Sequence, residues 1–220
     1  GKASSRKEAF KLLLRKEETR RNGEMALAAG KIYTSESHKV YHEDFRNFTK
    51  HDPIVLYDLV LTDPPYGMGA DEFGDSGHSS YGEHSYVDSY ENWLELMPEL
   101  VQWITCHTKS SAHAYIFCDF DRFHQLKGWM VEAGWKVFRT PMLWFKPSAY
   151  RAPLPRRGPQ RKYECILFAV RGDKNCAVLG GDVLEFAPDE NIGHEAQKPV
   201  ALYRELLRRS ATPGDRVFDP

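Results

Sequence analysis

The chain has 220 residues, of which 41% are hydrophobic and 28% charged, a balance ordinary for a globular domain with a sizeable core. No apolar run approaches the ~20 residues that cross a bilayer, and no secretory h-region is present in these residues, so we expect no membrane partner. The net charge of −1 conceals segregation: residues 51–108 contain no Lys or Arg, whereas residues 139–174 carry nine basic and two acidic residues, so a polyanionic partner is not excluded.

The first part of the chain predicts one helix and two strands. Residues 4–29 predict a basic, weakly periodic helix. Residues 39–42 predict a short strand that ends at the acidic pair Glu43-Asp44. Residues 57–62 are mostly apolar, as expected for a buried parallel strand. This second strand leads directly into the tetrapeptide Asp63-Pro64-Pro65-Tyr66.

The rest of the chain alternates between loops, helices and strands. Gly, Ser and Asp predict a long loop over residues 67–86, and a basic, proline-rich loop covers residues 146–162. Apolar periodicity and flanking Gly and Pro predict helices at residues 88–105, 121–133 and 199–209 and strands at residues 112–118, 135–145, 163–170 and 215–218. This alternation predicts an α/β fold with a largely parallel sheet over residues 31–220, preceded by an arm over residues 1–30.

The tetrapeptide carries the strongest chemical signal. It follows a buried strand, and in open α/β sheets ligands bind at the carboxyl ends of the strands. Two prolines remove two N–H donors and leave backbone carbonyls free to face a ligand. A carboxylate and a carbonyl can accept both hydrogens of an amino group, and a tyrosine can stack on a flat base. A Pro-Pro turn that merely ends a strand is the plainer interpretation.

Metal and disulfide chemistry have little support. Cys106, Cys118, Cys165 and Cys176 form no CxxC pair and are typical of reduced thiols. His78 and His84 are the nearest approach to a ligand pair, but no Cys accompanies them. We therefore expect no metal site.

Four segments together resemble a known family. They are residues 40–44, residues 59–66, Gln197-Lys198-Pro199 and residues 213–220. Their order resembles that of the S-adenosylmethionine-dependent amino-methyltransferases of DNA, in the permuted arrangement in which the catalytic half precedes the cofactor half. The resemblance also includes Leu143-Trp144-Phe145-Lys146 and residues 163–167, and it covers roughly residues 32–220. It implies a Rossmann-like α/β sheet, mostly parallel with an antiparallel edge strand, and helices on both faces.

The resemblance also assigns roles. Asp63 and the Pro64 carbonyl would accept hydrogens from the exocyclic amine of a flipped-out base, Pro65 would complete the rigid turn, and Tyr66 would stack on the base. Aspartate at the first motif position implies N6-adenine rather than N4-cytosine as the target. The residues expected around S-adenosylmethionine are Asp44, Asp63, Gln197, Lys198, Pro199, Phe218, Asp219 and Pro220. Those expected to contact DNA are Lys146, Arg151, Arg156, Arg157, Arg161 and Lys162.

Several alternatives stay open at this point. Asp44 is equally well explained as a residue that ends a strand, and the basic loop as a solvated charge run. The family continues after the Asp-Pro of its first cofactor strand with a Gly-rich loop, which these residues do not include, so the domain is expected to be incomplete at its C-terminal side. The alternative functions are an N4-cytosine or RNA amino-methyltransferase and a non-catalytic nucleic-acid-binding protein with a degenerate methyltransferase fold. A prokaryotic or phage-type cytoplasmic protein is implied, and a homodimer is left open.

Overall fold

A computed structural model describes residues 32–34, 38–50, 55–68, 88–147, 161–189 and 197–220. The predicted helix over residues 4–29, the predicted boundary at residue 30 and most of the two predicted loops lie outside these residues. The chain divides into two units, Gly1–Pro53 with Asp189–Gln197, and Ile54–Pro188 with Lys198–Pro220.

The first unit contains a two-stranded antiparallel sheet and a 3-10 helix. Strand β1 (Ile32–Thr34) pairs with β2 (Lys39–Tyr41), with Ile32 opposite Tyr41. The prediction of a strand at residues 39–42 is confirmed to within one residue. Neither β1 nor the 3-10 helix Phe45–Lys50 was predicted, because both segments are short and carry no clear apolar period.

The described residues of the second unit form a seven-stranded sheet and three helices. The strands are β3 (Tyr57–Thr62), β4 (Thr108–Cys118), β5 (Lys136–Val137), β6 (Met142–Phe145), β7 (Tyr163–Arg171), β8 (Val183–Glu185) and β9 (Val217–Phe218). The helices are α1 (Tyr90–His107), α2 (Phe120–Glu132) and α3 (Val200–Ser210). The strand order is β8-β6-β7-β4-β3-β9, and β5 also pairs with β7.

The sheet is mostly parallel, with one reversed strand among those described. Strand β3 runs parallel to β4 and β9, and β6 runs parallel to β8, whereas β7 is antiparallel to β4, β5 and β6. The reversed strand therefore lies between β4 and β6, not at an edge as the resemblance implied. Strands β6 and β7 are neighbours in both chain and sheet, and an antiparallel neighbour needs no crossover helix.

Helices cover both faces of this sheet. Helix α3 buries Leu202 and Leu206 against a cluster from one face of the sheet that includes Leu59, Tyr115 and Phe117. The alternate residues of the strands, such as Val60 and Ile116, are also buried, and they point to the opposite face. Helix α2 packs against β5 and β7 and contacts α1, so the second face is covered as well.

Local sequence explains where these elements begin and end. Ser89 caps α1 by accepting a hydrogen bond from the Asn92 amide at 3.2 Å. Gly134 follows α2 with φ +90°, as predicted for a helix stop. The predicted strand over residues 135–145 is divided into β5 and β6, with Pro141 between them, and proline cannot donate to a sheet.

Candidate active site

Three strands deliver charged side chains to one edge and one face of the sheet. Asp63 lies two residues beyond Leu61, Lys146 two beyond Trp144, and Glu164 two before Ile166. These three apolar residues all belong to the cluster that packs on α3. Because strand side chains alternate, a step of two residues keeps the same face.

The reversed strand β7 makes this convergence possible. Its first residues lie where β4 and β6 end, since Cys165 is opposite Cys118 and Tyr163 opposite Phe145. Glu164 therefore reaches the carboxyl edge from the start of a strand, whereas Asp63 reaches it from the end of one.

Asp63 is held by a lysine and a tyrosine. Lys198 Nζ lies 2.5 Å from Asp63 Oδ2, and the Tyr66 hydroxyl donates to Asp63 Oδ1 at 2.8 Å. Glu164 shares both partners, because its Oε2 lies 3.0 Å from the Tyr66 hydroxyl and 3.4 Å from Lys198 Nζ. Lys146 forms an ion pair with the other oxygen of Glu164. The site thus contains two carboxylates, two ammonium groups and one phenol.

Burial sets the electrostatics of this cluster. The side chains of Lys198 and Glu164 are 7% and 13% exposed, and that of Asp63 is 24% exposed. Loss of hydration raises the pKa of Asp63, although Lys198 and the Tyr66 hydrogen bond oppose the rise. Burial also acts to raise the pKa of Glu164, but the ammonium groups of Lys198 and Lys146 outweigh it, so that pKa is lowered. The pKa of Tyr66 lies well above its usual value, because burial and both carboxylates disfavour a phenolate.

The residue after the tetrapeptide is fixed from both sides. The Gly67 amide donates to Asp88 Oδ1 at 2.7 Å, and Arg122 Nη2 donates to the Gly67 carbonyl at 3.0 Å. Gly67 has φ +65°, and a Cβ placed there would lie 2.5 Å from the Trp93 Cβ. Pro64 and Pro65 are half-buried between this anchor and Asp63.

Six of the residues predicted to bind the cofactor, Asp63 among them, lie in the second unit. Lys198 contacts Asp63 and lies 5.4 Å from the centre of the Tyr66 ring. Pro199 is the N-cap of α3, and its carbonyl accepts from the Leu202 and Tyr203 amides. Phe218 packs its ring on Tyr57 and Trp103.

Asp219 and Pro220 directly follow β9. Loss of hydration raises the pKa of Asp219 to about 6, and the charge of Asp63 adds to this while a hydrogen bond with Thr62 opposes it. Asp44 and Gln197 lie in the other unit. There Asp44 accepts hydrogen bonds from the amide and guanidinium of Arg46, the pattern of a residue that caps the following 3-10 helix.

The described members of the predicted DNA-contacting set have protein partners. Lys146 pairs with Glu164, Arg161 donates to Asp119 at 2.8 Å, and Lys162 donates to the Pro147 carbonyl at 2.9 Å. Lys146 is only 13% exposed, and its ion pair with Glu164 makes it part of the charged cluster around Asp63. Arg151, Arg156 and Arg157 lie outside the described residues.

Sequence reasoning missed Glu164, Asp88 and Arg122 as members of the site. Glu164 had a usable signal, since it is an acidic residue directly before the apolar run of β7. The other two bind backbone atoms of Gly67, so nothing in their own sequence surroundings indicates a partner.

Among the described residues, no group of three or more His, Cys, Asp and Glu side chains could hold a metal ion. Within the same residues, no helix has the length and apolar character required to span a membrane. His78 and His84 fall outside this part of the chain.

Comparison with known proteins gives consistent matches. A family model described as DNA methylase matches residues 57–192. The type II methyltransferase M.HpaI of Haemophilus parainfluenzae is 26% identical over 180 residues, which cover 74% of this chain and 56% of the relative. The chain thus spans about half the length of that curated relative.

Solved structures match the fold. M1.HpyAVI in complex with SAM aligns with a TM-score of 0.59 at 19% identity, over 82% of this chain and 80% of its own. The PvuII DNA methyltransferase, which is cytosine-N4-specific, aligns with a TM-score of 0.64 at 18% identity, over 86% of this chain and 77% of its own. At these identities the likeness concerns the fold.

Proposed function

This chain belongs to the DNA methylase family, and from that membership we propose that it methylates the exocyclic N6 amine of adenine in DNA, with S-adenosylmethionine as methyl donor. The observation that carries the proposal is the tetrapeptide carboxylate, Asp63, at the carboxyl edge of β3 with Lys198 against it. The aspartate at the first motif position favours adenine over cytosine.

The residues of the site fit a methionine-type ligand. Lys198 is a buried cation that can pair with a carboxylate, and Asp63 and Asp219 are carboxylates able to accept from an ammonium group. When bound, S-adenosylmethionine supplies an electrophilic methyl group on a sulfonium. We propose that its site in this unit is lined by Asp63, Lys198, Pro199, Phe218, Asp219 and Pro220.

Asp63 and Pro64 would prepare the nucleophile. A flipped adenine presents two amine hydrogens, one for the Asp63 carboxylate and one for the Pro64 carbonyl. Both acceptors draw the nitrogen lone pair out of conjugation with the ring and aim it at the methyl carbon. With the donor bound, the amine nitrogen would attack the methyl carbon, with the donor's sulfur as the leaving group, and would then release a proton to solvent. Positioning and electrostatics provide the rate, without a covalent enzyme intermediate.

Tyr66 and the two loops complete the proposal. Tyr66 would stack on the extruded base, and Arg151, Arg156 and Arg157 would contact the DNA backbone. We propose that residues 67–86 and 147–162 read the target sequence. We propose DNA as the macromolecular partner. We also propose a homodimer, which light scattering of the purified protein would test.

The test is methyl transfer by the full-length protein from labelled S-adenosylmethionine to unmodified DNA, followed by nucleoside analysis. N6-methyladenine is the expected product, and Asp63→Ala should abolish it. N4-methylcytosine as the sole product would overturn the adenine assignment. N4-cytosine is kept as the alternative target because the PvuII enzyme, which is cytosine-N4-specific, shares this fold.

Two further rivals have their own readouts. Competition between duplex DNA, single-stranded DNA and RNA at one stated salt concentration distinguishes an RNA substrate. Absence of transfer to any nucleic acid, together with absence of saturable S-adenosylmethionine binding in calorimetry, would favour the non-catalytic nucleic-acid-binding protein.

A further inference from the structure

Glu164 is a second carboxylate in the site, and the tetrapeptide chemistry does not use it. It comes from β7, 98 residues along the chain from Tyr66, yet its Oε2 lies 3.0 Å from the Tyr66 hydroxyl. Its side chain is 13% exposed, and a buried carboxylate is costly unless ion pairs and hydrogen bonds compensate it. Lys146, Lys198 and Tyr66 supply that compensation.

The hydrogen bonds that Asp63 already accepts compete with its proposed bond to the base amine, and Glu164 can take over their donors. Asp63 must direct a lone pair at the base amine, but each of its oxygens already accepts one donor, Tyr66 on one and Lys198 on the other, and these donors weaken it as an acceptor. A phenol has a single proton, so at any moment the Tyr66 hydroxyl makes its full hydrogen bond to only one of the two carboxylates. The same two donors already lie within reach of Glu164 Oε2.

We propose that Glu164 is a positioning residue for methyl transfer, which takes the Tyr66 hydroxyl and the Lys198 ammonium from Asp63 when the amine arrives. The inference rests on the proposed function. Glu164 touches neither the base nor the donor in this role and acts through Tyr66 and Lys198. Lys146 holds the opposite oxygen of Glu164 and keeps the carboxylate turned toward the site.

The exchange balances in charge and in hydrogen bonds. Asp63 gives up one phenolic and one ammonium donor and gains an amine hydrogen, while Glu164 gains the phenolic and the ammonium donor. No covalent bond changes and no proton leaves the cluster. Tyr66 keeps its proton throughout, in accord with a pKa well above its usual value.

The test begins with Glu164→Gln in the full-length protein. The amide has the same shape but lacks the charge that competes for Lys198, so Asp63 keeps both donors and kcat should fall by roughly 10- to 100-fold, the range seen when a residue that orients a functional group is replaced. The dissociation constant for DNA should stay within about twofold, since Glu164 does not touch the duplex. The exposed Glu132→Gln at the end of α2 makes the same chemical change outside the site and should leave kcat unaltered.

A double-mutant cycle separates positioning from a general structural role. Tyr66→Phe keeps the ring and removes the proton for which the two carboxylates compete. If Glu164 acts through that proton, adding Glu164→Gln to Tyr66→Phe should lower kcat several-fold less than it does in the wild type. Strictly multiplicative effects, or a Glu164→Gln variant with wild-type kcat, would overturn the inference.

A readout independent of activity distinguishes this inference from the proposed function. In carboxyl-labelled NMR titrations, assigned with Asp63→Asn, Glu164→Gln should lower the pKa of Asp63, because a neighbouring negative charge is removed and Lys198 pairs with Asp63 alone. An unchanged Asp63 pKa overturns the inference even if the enzyme is active. A wild type that methylates no nucleic acid overturns the proposed function, and the titration still reports whether the carboxylates share their donors.

Discussion

Lys198 Nζ and Asp63 Oδ2 lie 2.5 Å apart although 135 residues separate them in the chain. Sequence motifs placed Asp63 in the catalytic half of the site, with a further contact to the cofactor, and Lys198 in the cofactor half. Their ion pair joins the halves before either ligand is present. Binding of one ligand should therefore change the electrostatics that the other encounters.

Lys198→Met should shift the pH dependence of methyl transfer. Without the ammonium group, Asp63 and Glu164 become two buried carboxylates that share one phenol, so the pKa of Asp63 should rise further. The acceptor form is the carboxylate, so the acidic limb of kcat/KM should move to higher pH and activity at pH 7 should fall by at least about tenfold. The exposed Lys136→Met is the matched control, because its pair with Asp173 is 77% and 102% exposed. An unshifted acidic limb would contradict the prediction.

Asp63→Asn should abolish transfer without destabilising the fold. The folded-state pKa of Asp63 is raised, so its stabilising contribution is present below the unfolded value of ~3.9 and declines as pH rises through the folded pKa. A neutral side chain removes that loss, and the variant's Tm at pH 7 should equal or exceed that of the wild type. Thermal unfolding at pH 5 and pH 7, with the exposed Asp173→Asn as control, measures this; a clear drop in Tm for Asp63→Asn would count against it.

Gly67→Ala should destabilise the protein by about 2 to 5 kcal/mol, since it adds left-handed backbone strain to overpacking. The new methyl group would meet the Trp93 Cβ at 2.5 Å in a backbone with φ +65°. Gly128→Ala provides the contrast, because this helical glycine has open space around it and alanine should stabilise α2 by about 0.5 to 1 kcal/mol. Urea unfolding of both variants measures the two free energies of unfolding, and equal effects would refute the steric argument.

Replacing Arg156 and Arg157 together with Ala should weaken DNA binding to all sequences alike. If both contact phosphates, the slope of log K against log salt should flatten by about two. Arg208→Ala is the control, since that side chain is paired with Glu205 on α3. Binding measured by fluorescence anisotropy at several salt concentrations decides the matter, and an unchanged slope would show that these residues are solvated.

Local patterns predicted the elements that carry strong apolar signals. The strand over residues 57–62 is confirmed at both ends, because a continuous apolar run before two prolines leaves few alternatives. Strand β8 was missed, since three residues at an edge with exposed Val183 carry almost no period. The interior position of the reversed strand β7 depends on pairing between distant segments, which periodicity does not report.

The residues of the site were likewise predicted only in part. Asp63, Tyr66 and Lys198 carry motif signals, and the structure brings them together. The strand order places Glu164 against Tyr66, and helix packing places Arg122 at the Gly67 carbonyl. Both contacts depend on tertiary structure, which local sequence patterns do not report. Lys146 was predicted to contact DNA as part of the basic loop, and its carboxylate partner Glu164 comes from the pairing of β6 with β7, which the sequence pattern does not report.

The pairing of β7 on both sides has an evolutionary consequence. Strands β4 and β6 fix the register of β7, so Lys146 and Glu164 are anchored independently of the segment that joins them. Residues 148–160 can therefore lengthen, shorten or change composition without moving either charge. Under the proposed function, the segment that reads the target is thereby separate from the residues that modify it, so sequence preference could diversify while the chemistry stays constant.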